Sequence, residues 1–179
     1  MSDLKHHLVW LHRLALVFIA SLVMFYNLIP FTLVPTTLPT PDIMFCIICA
    51  LIIRRPEIVP FWVIGVIYFG FDIFLAKPFG IWTACILVAT EVLRANRDAL
   101  RENLFPFEWL TVSLIFLAAL IANRLFWIVS FTQTPPWSNL AWEFLFTVAT
   151  YPVILFIMTY ILRIRKPALG SFGMKGQKL

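Results

Sequence analysis

Four ionisable residues stand inside or at the edge of otherwise apolar runs: Asp42, Asp72, Arg124 and Glu143. An ionised side chain at the centre of a helix in hydrocarbon costs about 2.5–3.5 kcal/mol on insertion scales, so such groups turn to a bundle interior or a wet cavity and pair there. Arg124 carries a planar fork that holds a carboxylate at two points. The set could lock helices in register, shape a docking groove for another protein's membrane segment, or pass a proton or ion. Covalent catalysis is poorly served. All three histidines, His6, His7 and His12, precede the first long apolar run, which leaves no imidazole farther along as a general base or metal ligand. The acids form no matched pair of motifs, and no glycine-rich phosphate cradle is present. Cys46 and Cys49 make a C-x-x-C, yet they lie with Cys85 inside apolar runs. A redox motif needs solvent access and a zinc site needs further ligands, so these cysteines read as small packing residues. No enzyme activity, metal or cofactor is expected.

Membrane helices are the elements that must position these groups. Of 179 residues, 61% are hydrophobic and only 13% charged, with a mean hydropathy of +0.92, which excludes a water-soluble globule with a polar exterior. A net charge of +5 would suit nucleic acid, but the basic residues sit in small groups at the ends of apolar runs. Without a stripe interleaved with stacking aromatics, the lipid bilayer is the expected anionic partner and nucleic acid is not. The first apolar run lacks the small-residue cleavage pattern of a secretory leader.

Six spans are expected in an all-α polytopic bundle. The first covers 14–33. The second opens at Thr40, Pro41 and Asp42, which offer a capping hydroxyl, a helix-start proline and an acid against the positive end of the dipole. It closes at Arg54 and Arg55, roughly 16 residues on if both arginines snorkel. The third, 58–76, has Pro60 in its first turn, Gly65 and Gly70 as close-approach positions for another helix, and Asp72 near its far end. Lys77, Pro78 and Gly80 turn the chain into the fourth span, 81–93. Residues 94–103 form a hydrophilic loop or amphipathic surface turn. The fifth span, 107–131, carries Arg124; the sixth, 140–162, carries Glu143 near its start and Pro152 at its middle. Residues 1–166 are thus one six-span domain, and 167–179 a basic, disordered tail.

If the spans alternate, all of the 14 Lys and Arg except Lys77 and Arg124 fall on one side. The positive-inside rule then places both termini in the cytoplasm. Asp42, Asp72, Arg124 and Glu143 share the outward half, where one or two of the acids are expected on Arg124. On the inner side Glu91 and Glu108 lie near Arg94 and Arg97 as snorkelling anchors.

The order Pro41-Asp42, an apolar run, Arg54-Arg55-Pro56, an apolar span holding the lone Asp72, then Pro78-x-Gly80 and another apolar span resembles the rod-shape-determining membrane protein MreD family. Ala76 departs from the Gly that many relatives carry four positions after the aspartate. The resemblance implies a non-enzymatic, multi-pass scaffold in the bacterial cytoplasmic membrane, needed for rod shape and lateral peptidoglycan synthesis. Its implied direct partner is MreC, in one complex with the actin-like MreB filament, the polymerase RodA and a class B penicillin-binding protein. The family is also similar in fold to the substrate-binding subunits of energy-coupling-factor vitamin transporters. That implies a rival, a small-molecule substrate-binding membrane subunit, which needs an outward pocket lined by aromatics and a few polar groups. The outer loops 33–42 and 132–139 are short for a lid, so partner binding is the expectation. Gly65, Gly70 and the outer charged group would receive the membrane helix of MreC.

Overall fold

The computed structural model describes residues 2–28, 39–75, 80–102, 104–130 and 136–161, and every regular element in them is a helix. These are α1 (Ser2–Leu28), α2 (Ile43–Arg54), α3 (Phe61–Phe74), α4 (Ile81–Ala95), α5 (Arg97–Glu102), α6 (Phe105–Val129) and α7 (Trp137–Phe156), the last continued by a π-helical turn, Ile157–Ile161. Three stretches are long and apolar enough to cross a membrane: Val9–Leu28, Phe105–Val129 and Trp137–Tyr160. By contrast α2, α3 and α4, with 12, 14 and 15 residues, rise about 18, 21 and 22 Å. A hydrocarbon core is about 30 Å thick. The architecture among the described residues is that of a membrane helical bundle with three helices of spanning length and four shorter ones, α2 to α5.

The short α2 is the centre of this bundle. Every residue from Ile48 to Arg54 is buried, and α1, α4, α5 and α7 pack around it. A helix apolar on all sides belongs inside other helices, which is why this one carries no amphipathic stripe. Its ends leave backbone groups that hydrocarbon cannot satisfy, and side chains reach them. At the first end Asp42 is the N-cap, its Oδ1 accepting from the Phe45 N–H at 2.9 Å, while its own N–H donates to Thr147 Oγ1 at 3.0 Å. The cap expected of Thr40 falls instead to Asp42; Thr40 Oγ1 donates to Asn27 Oδ1 at 3.1 Å. At the other end Arg101 Nε donates to the Ile53 carbonyl at 2.6 Å.

That contact explains what becomes of the hydrophilic stretch 94–103. α4 runs on to Ala95, α5 follows, and Leu100 is buried, so the segment is an amphipathic surface helix folded against the end of α2. Boundaries elsewhere shift by a turn or less, except that α1 begins at Ser2 and so includes the histidines, while residues 29–33 of the first expected span lie outside the described residues. Pro60 is the N-cap of α3 rather than part of its first turn. Pro152 lies inside α7 without ending it. A proline cannot donate to the carbonyl four residues back, here that of Val148, and the Trp109 indole N–H takes that acceptor at 3.0 Å. Pro30, Lys77, Pro78 and the tail 167–179 lie outside the described residues.

Candidate functional site

The two ends of the bundle carry different chemistry, and α2 connects them. At the Asp42 end the carboxylate also accepts from the Tyr68 hydroxyl, at 3.2 and 3.3 Å to its two oxygens. Asp42 and Glu143 both face a cavity of about 250 Å³, whose other walls include Asn27, Thr40, Tyr68 and Trp82. Pro41 lines it too. Two of the four expected groups therefore meet there, brought together by the starts of α2 and α7.

Asp72 turns elsewhere. It sits in the last turn of α3, fully buried, and its Oδ2 accepts from Gly80 N at 3.1 Å, Thr83 N at 3.2 Å and Thr83 Oγ1 at 2.6 Å. These are the first donors of α4, whose own N-cap is Gly80, a residue with no side chain to offer. The φ of +77° at Gly80 is one that L side chains rarely adopt, so the turn requires glycine there and the cap has to come from another element. Asp72 thus caps the following helix from the preceding one, with its charge against the positive end of the α4 dipole. It makes no ion pair with Arg124 among the described residues; the Arg124 guanidinium lies 3.9 Å from the centre of the Trp137 ring.

The glycines divide likewise. A Cβ at Gly65 would lie 3.9 Å from Leu87, so this position belongs to the α3–α4 seam, whereas nothing lies within 4 Å of one at Gly70.

A charged cluster that sequence reasoning misses occupies the opposite end. Glu108, in the first turn of α6, is fully buried, and its Oε1 accepts from Arg54 Nη1 at 2.9 Å and from the Tyr151 hydroxyl at 2.8 Å. This corrects two expectations. Arg54 is buried against an acid rather than snorkelling, while Arg55 is the exposed one, 4.0 Å from Glu57. Glu108 meets α2 and α7 rather than Arg94 and Arg97; Arg94 pairs with Glu91 at 3.1 Å and Arg97 with Asp98 at 3.3 Å. The physical reason is depth: the first turn of α6 lies level with the last turn of α2, so a carboxylate there meets a guanidinium without either leaving the interior. Alternation of the spans was the signal that could have found the pair. Around it, Arg94 Nη2 donates to the Val59 carbonyl at 2.7 Å and Arg13 Nη2 to the Glu57 carbonyl at 2.9 Å. Pro56 lies within that same α2–α3 turn.

Between α4 and α6 runs an apolar groove of about 410 Å³, lined by small residues (Ala84, Ala118, Ala122) with Val88 and Phe126. Cys85 also faces it; Cys46 and Cys49 are buried and unbridged. No three His, Cys, Asp or Glu side chains gather as a metal-ligand set among the described residues. No family model, curated protein or solved structure matches the chain.

Proposed function

We propose that the chain is a non-enzymatic membrane scaffold of the MreD kind, with six crossings and both termini in the cytoplasm of a rod-shaped bacterium. In this reading it holds the single membrane helix of MreC and so ties it to MreB, RodA and a class B penicillin-binding protein. The groove between α4 and α6 carries the reading. From Ala84 to Val92 α4 rises about 12 Å, and from Ile115 to Phe126 α6 rises about 16 Å, so the trough follows both helices across roughly half a bilayer. Without a hydrophobic driving force between helices in lipid, association depends on close van der Waals approach, and alanines on both walls allow it. The orientation rests on the basic end. Arg13, Arg94 and Arg101 reach backbone carbonyls of Ile53 to Val59, and Arg55 is exposed beside them, so the cations gather at one level, as a cytoplasmic face requires.

A vitamin-binding subunit is less well served. The cavity of about 250 Å³ is below the roughly 300–1,000 Å³ of pockets that enclose drug-sized ligands.

Filling the groove tests the scaffold. Ala84 and Ala118 are exposed on its walls, so Ala84→Trp and Ala118→Trp add bulk with little disturbance inside the bundle. Each variant is expected to be inserted and recovered like the parent, with MreC recovery on pull-down from membranes reduced by about tenfold, which corresponds to about 1.4 kcal/mol. Undiminished MreC recovery with both variants removes the groove as the docking surface.

A further inference from the structure

We infer that Arg13, held against Trp10 and Trp62, is a headgroup site for an anionic phospholipid. The inference goes beyond the scaffold and stands whether or not the α4–α6 groove receives MreC. The central guanidinium carbon of Arg13 lies 5.2 Å from the centre of the Trp10 ring and 5.6 Å from that of Trp62, and the two indoles are 6.1 Å apart. Both distances fall within the reach of cation–π attraction. Arg13 Nη2 also donates to the Glu57 carbonyl at 2.9 Å, which ties α1 to the α2–α3 turn. Trp10 and Trp62 are each about half exposed, so the cluster stands on the outside of the bundle, and indoles there favour the headgroup level of a bilayer.

The charge of Arg13 is fixed in place but not neutralised. Arg54 pairs with Glu108, Arg55 with Glu57, Arg94 with Glu91 and Arg97 with Asp98, whereas Arg13 has no acid within ion-pair distance among the described residues. A guanidinium carries five N–H donors in a rigid plane. One goes to Glu57, Nε is enclosed without a partner, and Nη1 makes no hydrogen bond among the described residues. Phosphate oxygens are the acceptors that this planar fork suits best. Two rings and a carbonyl already order the long side chain, so binding does not have to.

The neighbouring surface selects a lipid over a water-soluble anion. Beyond Arg13, α1 exposes Leu14 and Phe18; beyond Trp62, α3 exposes Val66 and Phe69. Acyl chains that descend from a phosphate at Arg13 lie along this carbon, and a free phosphate gains nothing from it. A zwitterionic headgroup brings its own cation beside the phosphate, which competes with the guanidinium, and a phosphatidylglycerol headgroup brings none.

The test uses the full-length protein in maltoside micelles and reads the midpoint of thermal unfolding, which rises with a ligand that binds the folded state. Phosphatidylglycerol, phosphatidylcholine with the same acyl chains, and inorganic phosphate are titrated separately. The largest rise is expected with phosphatidylglycerol, and an equal rise with either of the others overturns the inference. Arg13→Gln removes the charge and keeps a donor for the Glu57 carbonyl. Trp10→Leu combined with Trp62→Leu removes two exposed rings, which keeps the test open if Arg13→Gln does not fold. Arg97→Gln removes a charge already paired with Asp98 and serves as the control. The amount of phosphatidylglycerol giving half the shift should rise about tenfold in Arg13→Gln, the loss of one charge-assisted contact, and about threefold in the tryptophan variant. In Arg97→Gln it should match the parent. Parental values in both the Arg13 and the tryptophan variants, or an equal rise in Arg97→Gln, overturn the inference, because binding then follows the overall charge and not this site.

Discussion

Removing the Asp72 carboxylate should loosen the α3–α4 hairpin far more than removing its charge. In Asp72→Ala, Gly80 N–H, Thr83 N–H and the Thr83 hydroxyl all lose their acceptor. A buried donor left without a partner costs about 1–3 kcal/mol. Thr83 is buried and its N–H carries that cost in full, Gly80 is only half-buried and recovers part of it, and a hydroxyl can rotate. Against this, Oδ1 is buried without a hydrogen bond among the described residues, so its removal returns something. The balance is a loss of about 2–4 kcal/mol. Asp72→Asn keeps an acceptor oxygen and gives up the attraction of a full charge to the helix N-terminus, about 0.3–1 kcal/mol at the surface and up to about 2 when partly buried. Unfolding in mixed micelles of increasing denaturing detergent should rank the parent above Asn and Asn above Ala. A double-mutant cycle with Thr83→Val should show a coupling of about 1–2 kcal/mol, the range of charge-assisted bonds between residues in contact. Parental stability in Asp72→Ala would refute the cap, and so would a zero coupling to Thr83. At equal amounts of folded protein, MreC recovery with Asp72→Asn should match the parent, because the carboxylate faces α4 and not the groove.

Two further outcomes follow from the other end of the bundle and from the proposed topology. Glu108→Leu alone should cost about 3–5 kcal/mol in the same unfolding assay, since it leaves the Arg54 guanidinium buried without its acid, whereas Arg54→Met combined with Glu108→Leu should restore most of that loss; equal losses in the single and double variants would deny the coupling. In intact cells, a cysteine at Ser138 should react with a membrane-impermeant thiol reagent and one at Asp98 should react only after permeabilisation, while the native Cys46, Cys49 and Cys85 stay buried and silent. The reverse pattern of labelling inverts the bundle.

How far the sequence could be read depended on whether a side chain announced its own role. Pro41 and Asp42 placed the start of α2 because a helix cap is local: the acid and the N–H it satisfies are three residues apart. The same logic failed for Asp72, whose partners are mostly backbone N–H groups across a turn, and a backbone donor has no residue type to betray it. Gly80 is the one trace of that arrangement, a glycine placed where the chain needs a positive φ. Arg54 and Glu108 are 54 positions apart, and Arg55 next door looks equally basic. Only the rotation of α2 decides which arginine enters the core, and a helix buried on every side has no amphipathic pattern to reveal its rotation. The guanidinium of Arg124 also lies 3.9 Å from the centre of the Trp137 ring, a contact that no spacing in the sequence announces because it joins two different helices.

A short helix at the centre of the bundle has consequences for the whole molecule. Because α2 rises only about 18 Å, it is shorter than a hydrocarbon core is thick, and side chains of neighbouring helices close both of its ends. Thr147 and Tyr68 attend to the start, while Arg101 and the Arg54–Glu108–Tyr151 cluster attend to the finish, so α3, α5, α6 and α7 all commit polar groups to α2. Asp72 does the same for α4 and Trp109 for the carbonyl that Pro152 frees in α7. Polar groups tied to helix ends stiffen a bundle and leave its lateral surface to carbon. In the proposed scaffold, recognition within the bilayer proceeds by shape, along a seam such as α4–α6, while cations gather around the α2–α3 turn. That arrangement lets buried Asp72 and Glu108 coexist with a mean hydropathy of +0.92, because each is closed by donors from a neighbouring helix.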